Sequence, residues 1–250
     1  MARYDFRSPR LFVADPLTAG ATVTLDGSQA NYLRNVLRLD AGAGVLLFNG
    51  RDGEWHATVA EIGKRALALK TDRLTRAQPR PLDLHYLFAP LKHARLDYMV
   101  QKAVEMGASR LQPVLTRHTQ VARVNLERMR ANAIEAAEQC GILTIPDIAE
   151  PLALERLIAA RDPARLLVFC DEDAEIKDPV ATLATARRHE GEPALAVLIG
   201  PEGGFAEDER AALLRAPNVV RLALGPRILR ADTAAVAALA LVNTVLGDWR

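Results

Sequence analysis

The pattern of hydrophobic and polar positions changes once along the chain, near residue 80. Before that point, short apolar runs alternate with turn residues, a pattern typical of β-strands. Strands are predicted at 10–13, 45–48, 55–59 and 66–69, with a turn at 49–53. A helix is predicted over Ser28–Arg38, where Ala30, Leu33, Val36 and Leu37 would share one face. Residues 1–75 are therefore predicted to form a small β-barrel, followed by a linker over 76–81 because Pro79 and Pro81 interrupt both helix and strand.

From residue 82 onward, apolar runs alternate with helical patterns. The predicted strand and helix pairs are 82–89 with 95–106, 111–115 with 125–139, 166–170 with 178–188, 194–199 with 207–215, and 219–224 with 231–246. The strand segments are almost wholly apolar, as strands are when helices cover both faces of a parallel sheet. The sequence thus predicts an α/β domain over residues 82–250.

Composition restricts the class of protein. Half of the residues are hydrophobic and a quarter are charged, which is ordinary for a globular chain. No apolar run approaches the roughly 20 residues of a membrane span, and the first residues carry no apolar signal core. Cys140 and Cys170 form neither a CxxC pair nor a zinc pattern, and both are predicted to be small buried hydrophobic side chains. We expect a cytoplasmic protein with no membrane contact and no metal.

Charge is divided unevenly along the chain. The net charge is +1, but residues 1–130 hold 20 Lys and Arg against 12 Asp and Glu, whereas residues 131–250 hold 12 against 19. A basic half joined to an acidic half suggests that one part meets a polyanion such as nucleic acid, although solvated surface charge explains the same asymmetry equally well.

Two of the predicted strands end in glycine-proline loops. The strand at 194–199 runs into Gly200-Pro201-Glu202-Gly203-Gly204, and the strand at 219–224 runs into Gly225-Pro226-Arg227-Ile228-Leu229-Arg230. In open α/β sheets, ligands bind beyond the carboxyl ends of the strands, and glycines let the backbone approach a ligand closely. One such loop is most simply a tight turn, but two together favour a ligand site. Neither loop has the spacing of a dinucleotide fingerprint or a P-loop.

These loops closely resemble those of the RsmE-type SPOUT methyltransferases, and the resemblance extends over the whole chain. Further similar segments are Pro9-Arg10-Leu11-Phe12, 32–38, 101–107, Glu138-Gln139-Cys140-Gly141 and the closing helix 233–245. The chain departs from the family pattern at Ile142, where Arg is usual, and at Asp232, where Glu is frequent.

The resemblance implies an S-adenosylmethionine-dependent enzyme that forms N3-methyluridine in 16S ribosomal RNA of the small subunit. It implies a PUA-like RNA-binding barrel at residues 1–75, a C-terminal trefoil knot in the SPOUT domain, which is a rare exception to unknotted topology, and a homodimer. It also implies that the cofactor is held by residues of both loops: Ile199, Gly200, Pro201, Glu202, Gly203, Gly204, Leu224, Gly225, Ile228, Leu229 and Arg230.

The chemistry of N3 methylation suggests roles for the charged residues of the loops. The uridine N3 carries a proton at neutral pH and is a poor nucleophile until that proton leaves. We expect Glu202 to assist proton removal and Arg230 to orient the base or its phosphate, whereas Asp232 is predicted to cap the last helix. The predicted RNA contacts are six basic residues: Arg10, Arg34, Arg38, Lys92, Arg95 and Lys102.

Three alternatives stay open at this point. A related SPOUT enzyme could methylate a ribose 2′-hydroxyl of ribosomal or transfer RNA with the same loops. A non-catalytic RNA-binding or ribosome-assembly protein could retain the fold without the reaction. A metabolic α/β enzyme is the weakest alternative, because it leaves the basic half of the chain unexplained.

Overall fold

The structure, a computed structural model, describes residues 5, 7–63, 66–121, 123–186 and 194–249. The chain divides into two compact units. Unit 1 comprises Met1–Arg80 with Ala137–Ile145, and unit 2 comprises Pro81–Ala136 with Pro146–Arg250. The sequence does not predict that a segment as distant as 137–145 belongs with the first 80 residues.

Unit 1 contains a five-stranded sheet. Its strands are β1 (Arg10–Phe12), β2 (Thr22–Leu25), β3 (Gly44–Phe48), β4 (Glu54–Ile62) and β5 (Leu67–Arg76). They pair in the order β1-β3-β4-β5-β2; β1 runs parallel to β3, and the other pairs are antiparallel. Alternate residues of the strands, among them Val23, Val45 and Leu69, are fully buried in one hydrophobic cluster. The β-rich character predicted for this part of the chain is confirmed, although the pattern missed β2.

The predicted helix over Ser28–Arg38 is wrong in its second half. Helix α1 spans Gly27–Asn31 and continues as a π-helical turn over Tyr32–Val36. The backbone N–H of Leu37 donates to Tyr32 O, five residues back, and Arg38 has a left-handed φ of 54°. Arg34 and Arg38 therefore do not share a helix face, because the wider turn and the reversed backbone remove the four-residue periodicity.

Segment 137–145 is bonded to the rest of unit 1 by polar contacts. Glu138 Oε1 accepts from the backbone N–H of Phe12 at 2.8 Å, and Gln78 Nε2 donates to Leu143 O at 3.2 Å. The Glu138-Gln139-Cys140-Gly141 motif thus helps to hold unit 1 together. Cys140 is exposed, so its predicted burial is wrong, because it lies on the outer side of the last helical turn. Cys170 is buried as predicted, and burial raises the pKa of its thiol to about 12.

Unit 2 contains a seven-stranded parallel sheet. Its strands are β6 (Leu84–Phe88), β7 (Arg110–Leu115), β8 (Asp147–Ile148), β9 (Leu152–Ala153), β10 (Leu166–Cys170), β11 (Leu195–Ile199) and β12 (Val219–Leu222). The order is β12-β10-β11-β6-β7-β8, with β9 also pairing with β7. Every residue of β10 and β11 is buried, which confirms the predicted parallel sheet covered on both faces. The short strands β8 and β9 were not predicted.

The described part of this α/β unit contains six helices. They are α2 (His93–Glu105), α3 (Leu126–Cys140, whose last turn belongs to unit 1), α4 (Leu154–Ala160), α5 (Pro179–Thr185), α6 (Glu207–Arg215) and α7 (Ala231–Val245). Helix α7 packs against α2, α5 and β11, whereas α4 packs against α6. All but α4 were predicted, with ends that differ by a few residues. Among the described residues, no helix is long and apolar enough to cross a membrane.

The cap of α7 differs from the prediction. Arg230, rather than Asp232, is the N-cap residue, and the Asp232 carboxylate accepts from the adjacent backbone N–H of Thr233 at 2.8 Å. Asp232 lies in the first turn, where a negative charge still interacts favourably with the helix dipole.

Candidate cofactor and RNA site

The two glycine-proline loops lie at the carboxyl end of the parallel sheet. We define the first loop as residues 200–206, between β11 and α6, and the second loop as residues 223–230, between β12 and α7. Strand β10 lies between β11 and β12 and pairs with both. The sheet order thus brings together two loops that residues 207–222, a stretch of 16 residues, separate in sequence.

The first loop is a tight turn with little room for side chains near its backbone. The N–H of Gly204 donates to Pro201 O at 3.0 Å, and Gly204 has a φ of +70°. A Cβ at Gly200 would overlap the ring of Phe205, which packs edge-on against Phe169 with ring centroids 5.0 Å apart. The buried aromatic pair therefore fixes where the loop leaves the strand and returns to α6.

The second loop is open where the first is packed. Gly225 has a φ of +100°, and nothing lies within 4 Å of the place where its Cβ would be. The side chain of Ile228 is 90% exposed, whereas Leu224 and Leu229 are half-buried. A bulky apolar side chain held out in this way is available to contact a ligand or another chain.

The two loops differ in the space that they leave for a ligand, which is open beside Gly225 of the second loop. A glycine without a Cβ lets backbone N–H and C=O groups approach a ligand closely, but in the first loop Phe205 and Glu172 occupy that space beside Gly200 and Gly204. Ile199 is buried in the sheet, so only its backbone could contact a ligand. The most accessible parts of the two loops are therefore the space beside Gly225 and the side chain of Ile228.

Glu202 forms an ion pair with Arg95. The Arg95 Nη1 atom of α2 donates to Glu202 Oε1 of the first loop, and the two side chains are 38% and 43% exposed. The structure thus brings together a predicted catalytic residue and a predicted RNA contact that are 107 positions apart. Arg230 is also exposed, at the end of the second loop.

Sequence reasoning missed a segment that contacts the first loop from β7. Nδ1 of His118 lies 3.2 Å from Gly203 O and 3.1 Å from Gly204 O, and Arg117 pairs with Asp208 at 2.5 Å. Residues 117 and 118 follow the carboxyl end of β7. Their position just beyond an apolar strand was the signal in the sequence that they lie near the loops, because the carboxyl ends of parallel strands meet at one edge of the sheet.

A second missed group lies between the two loops. Asp171, directly after β10, is fully buried and bonds to Arg210 of α6 and to Arg221 of β12. Among the described residues, Asp171, Glu172 and Asp173 are the one group of carboxylates close enough to hold a metal ion. Arg210 bonds to all three and Arg221 bonds to Asp171, so two cations already offset most of their negative charge.

Arg10 does not offer its charge to RNA, which corrects the prediction. Its side chain is 4% exposed, and its Nε donates to Glu54 Oε2 at 2.7 Å. Arg76 bonds to the same carboxylate at 2.6 Å. Burial raises the pKa of Glu54, but hydrogen bonds from Arg76 and Arg10 outweigh it and hold the pKa below its ordinary value. Arg10 is therefore part of a buried ion-pair network.

The other predicted RNA contacts occupy different settings. Arg38 and Lys92 are exposed. Arg34 is half-buried and donates to Gly63 O at 2.8 Å. Lys102 bonds to Glu105 at 2.7 Å and lies 5.5 Å from the ring centroid of Tyr98. Arg34 and Arg38 belong to unit 1, whereas Lys92, Arg95 and Lys102 belong to α2 and the loop before it in unit 2.

Comparison with known proteins gives concordant matches to both parts of the chain. The profile of the RNA methyltransferase domain matches residues 78–243, and that of the RNA methyltransferase PUA domain matches residues 25–72. The chain is 32% identical to ribosomal RNA small subunit methyltransferase E of Synechocystis, over 95% of this chain and 78% of the relative. It is 29% identical to the Rickettsia conorii protein of the same name, over 94% of each.

Two solved structures extend the similarity to the fold. Ribosomal RNA small subunit methyltransferase E from Neisseria gonorrhoeae, bound to S-adenosylmethionine, superposes with a TM-score of 0.84 at 25% identity, covering 98% of this chain and all of that one. A methyltransferase from Legionella pneumophila, in complex with the same cofactor, gives a TM-score of 0.82 at 27% identity, covering 95% of this chain and 98% of that one. With a PUA-type unit before a parallel sheet that ends in two glycine loops, the chain belongs to the RsmE-type family of RNA methyltransferases.

Proposed function

We propose that this chain transfers a methyl group from S-adenosylmethionine to N3 of a uridine in 16S ribosomal RNA. The observation that carries the proposal is the pair of glycine loops at the carboxyl end of the sheet, within a fold whose relatives are small-subunit RNA methyltransferases. Relatives with S-adenosylmethionine bound support the same cofactor here.

Both loops would hold the cofactor mainly through their backbones. Residues 199–204 and Leu224, Gly225, Ile228, Leu229 and Arg230 form the proposed cofactor site. When bound, S-adenosylmethionine supplies a methyl group on a sulfonium, ready for in-line attack. The rigid packing of Phe205 under Gly200 keeps the first loop in place before the ligand arrives, which lowers the entropy cost of binding.

Glu202 is our candidate for the group that accepts the N3 proton. A carboxylate oxygen within hydrogen-bond reach of N3–H can take that proton, which leaves the uracil nitrogen with the electron pair that attacks the methyl group. The ion pair with Arg95 holds the carboxylate at the edge of the first loop. An arriving RNA phosphate competes for Arg95, so RNA binding would release Glu202 for its role. Arg230 would orient the base or its phosphate.

The two parts of the chain would have different roles, with RNA binding in the first part and methyl transfer in the second. We propose that residues 1–75 form a PUA-like RNA-binding barrel, that 76–81 is a linker, and that 82–250 is the SPOUT methyltransferase domain. The positive charges of Arg34, Arg38, Lys92, Arg95 and Lys102, of which Arg38 and Lys92 are the exposed ones, would meet the RNA backbone. An enzyme of ribosomal RNA works where ribosomes are assembled, so we expect it in the cytoplasm.

The proposal includes a trefoil knot and a homodimer. The knot is what the resemblance of the two loops to the SPOUT methyltransferases implies for the C-terminal segment, in which α7 follows the edge strand β12 and packs against β11 and α2. The 90% exposure of Ile228 supports a partner subunit near the second loop. Light scattering on the purified protein tests the dimer: a mass near 27.3 kDa, that of one chain, would contradict it.

Nucleoside analysis of small-subunit ribosomal RNA tests the proposed reaction. RNA from cells that lack the protein is digested before and after incubation with purified protein and S-adenosylmethionine. We expect N3-methyluridine to be absent at first and restored by the incubation. Appearance of a 2′-O-methylated nucleoside instead would indicate a ribose methyltransferase, and binding of RNA without any methyl transfer would indicate an assembly protein.

A further inference from the structure

Asp171 occupies an unusual position between the two proposed cofactor loops. It follows the last residue of β10, the strand that lies between β11 and β12. Its side chain is fully buried, and its backbone N–H donates to Leu222 O, the last residue of β12, at 3.1 Å. A buried carboxylate is costly unless cationic partners and hydrogen bonds compensate its charge.

The two cationic partners of Asp171 belong to elements that join the two loops. Arg210 is the fourth residue of α6, the helix that follows the first loop, and its Nε lies 3.1 Å from each Asp171 oxygen. Arg221 lies in β12 just before the second loop, and its Nε and Nη2 approach Asp171 Oδ2 at 2.7 and 2.6 Å. One carboxylate thus connects the elements that adjoin the two loops to the end of β10.

The neighbour of Asp171 also contacts the first loop. Glu172 Oε1 fills the space that a Cβ at Gly204 would need, and Nη2 of Arg210 donates to the same oxygen at 3.1 Å. The turn that begins at Asp171 therefore supports the first loop through the side chain of Glu172. It supports the elements next to both loops through the ion pairs of Asp171 with Arg210 and Arg221.

We propose that Asp171 is a positioning residue that holds the two cofactor loops at the spacing that S-adenosylmethionine requires. The inference rests on the proposed function, because it concerns how the same site is kept ready for its cofactor. Asp171 is buried beneath the loops, so it would act through Arg210 and Arg221 rather than by touching the cofactor. A small displacement of either loop weakens a site whose contacts come from two separate segments.

The test compares Asp171→Asn with Asp173→Asn. Both changes remove a carboxylate charge from the neighbourhood of Arg210, but Asp173 is 63% exposed, and Arg221 bonds to Asp171. Calorimetry would give the dissociation constant for S-adenosylmethionine, and a filter or fluorescence assay would give that for RNA. For Asp171→Asn we expect cofactor binding at least tenfold weaker with RNA affinity within about twofold of wild type. For Asp173→Asn we expect both affinities within about twofold.

Arg221→Gln provides a second variant in case Asp171→Asn does not fold. It leaves Asp171 paired with Arg210 and should weaken cofactor binding severalfold, again with RNA affinity unchanged. In the double variant D171N/R221Q the two effects should not add, because both changes disrupt one contact.

The possible outcomes separate this inference from the proposed function. A wild-type protein that does not bind S-adenosylmethionine would overturn the proposed function and this inference with it. A wild-type protein that binds the cofactor, with Asp171→Asn or Arg221→Gln variants that bind it equally well, would overturn this inference alone. Parallel losses of cofactor affinity, RNA affinity and thermal stability would also overturn it, because they would show a merely structural role.

Discussion

Glu202 and Arg95 illustrate how single residues acquire a role from the fold. From the sequence, each would be expected to be an ordinary exposed charged residue. In the structure, the two form an ion pair at the carboxyl end of the sheet. An exposed ion pair contributes little to stability, on the order of 0–1 kcal/mol, because solvent screens it. In the proposed mechanism its value would be geometric, because Arg95 would hold the direction of the carboxylate until an RNA phosphate replaced it.

Replacing Glu202 tests its role as proton acceptor. We expect Glu202→Gln to bind S-adenosylmethionine normally and to lose about 10²- to 10⁴-fold in the rate of methyl transfer, the usual contribution of a general base. Glu207→Gln is the matched control, because Glu207 is an exposed carboxylate at the start of the next helix. A Glu202→Gln protein with full turnover would remove the proposed role.

Arg10 is the opposite case among single residues, because its charge is paired inside unit 1. We expect Arg10→Met to lower the free energy of unfolding by about 3 kcal/mol, because it leaves Glu54 buried with one cationic partner fewer. Denaturant unfolding measures the change, and Arg51→Met, which removes an exposed side chain, should cost less than about 1 kcal/mol. Unchanged stability combined with weaker RNA binding would instead restore Arg10 as an RNA contact.

At the scale of elements, the two loops owe their form to neighbours as much as to their own glycines. The first loop is packed: Phe205 lies against Gly200, Glu172 fills the space beside Gly204, and His118 contacts its carbonyl oxygens. The second loop is open around Gly225 and exposes Ile228. The first loop is therefore the more sensitive to an added methyl group.

Adding a methyl group at Gly204 tests this sensitivity. We expect Gly204→Ala to cost roughly 1–2 kcal/mol of stability through its left-handed backbone and to weaken cofactor binding at least tenfold by displacing Glu172. Gly20→Ala is the control, because Gly20 has a similar φ of +77° with nothing within 4 Å of its Cβ position. Thermal melts and calorimetry measure the two effects. Equal cofactor affinity in the two variants would contradict the proposed position of the site.

At the scale of the whole molecule, the uneven charge predicts salt-dependent RNA binding. The basic excess lies in residues 1–130 and includes exposed Arg38 and Lys92. Each phosphate that such a side chain neutralises contributes about −0.7 to the slope of log affinity against log salt for single-stranded RNA.

Removing one exposed charge should therefore change both affinity and slope. We expect Arg38→Ala and Lys92→Ala each to weaken RNA binding and to make the slope shallower by about 0.7. Arg156→Ala is the control, because Arg156 is exposed on α4 in the acidic half of the chain. Titrations at several salt concentrations measure the slope, and a slope that no basic residue alters would argue against a contact with the RNA backbone.

Most elements of unit 2 could be predicted from the sequence because their signals are local. An apolar run of five or six residues followed by a helical pattern fixes strand and helix without reference to distant segments. The same holds for the two glycine-proline loops, whose places at the strand ends the sequence predicts and whose role as a ligand site stays a prediction. The π-helical turn after α1 could not be predicted, because its hydrophobic positions also fit a regular helix.

The pattern of the sequence was sufficient for the alternation of strands and helices, the parallel sheet and the candidate loops, since each depends on residues that are neighbours along the chain. Contacts between distant segments required the folded structure: Arg10 with Glu54, Arg95 with Glu202, and Asp171 with Arg210 and Arg221. The sequence alone does not distinguish a charged residue that faces water from one that faces RNA or a buried partner. Only the packing of remote elements fixes its surroundings, and those surroundings fix what its charge can do.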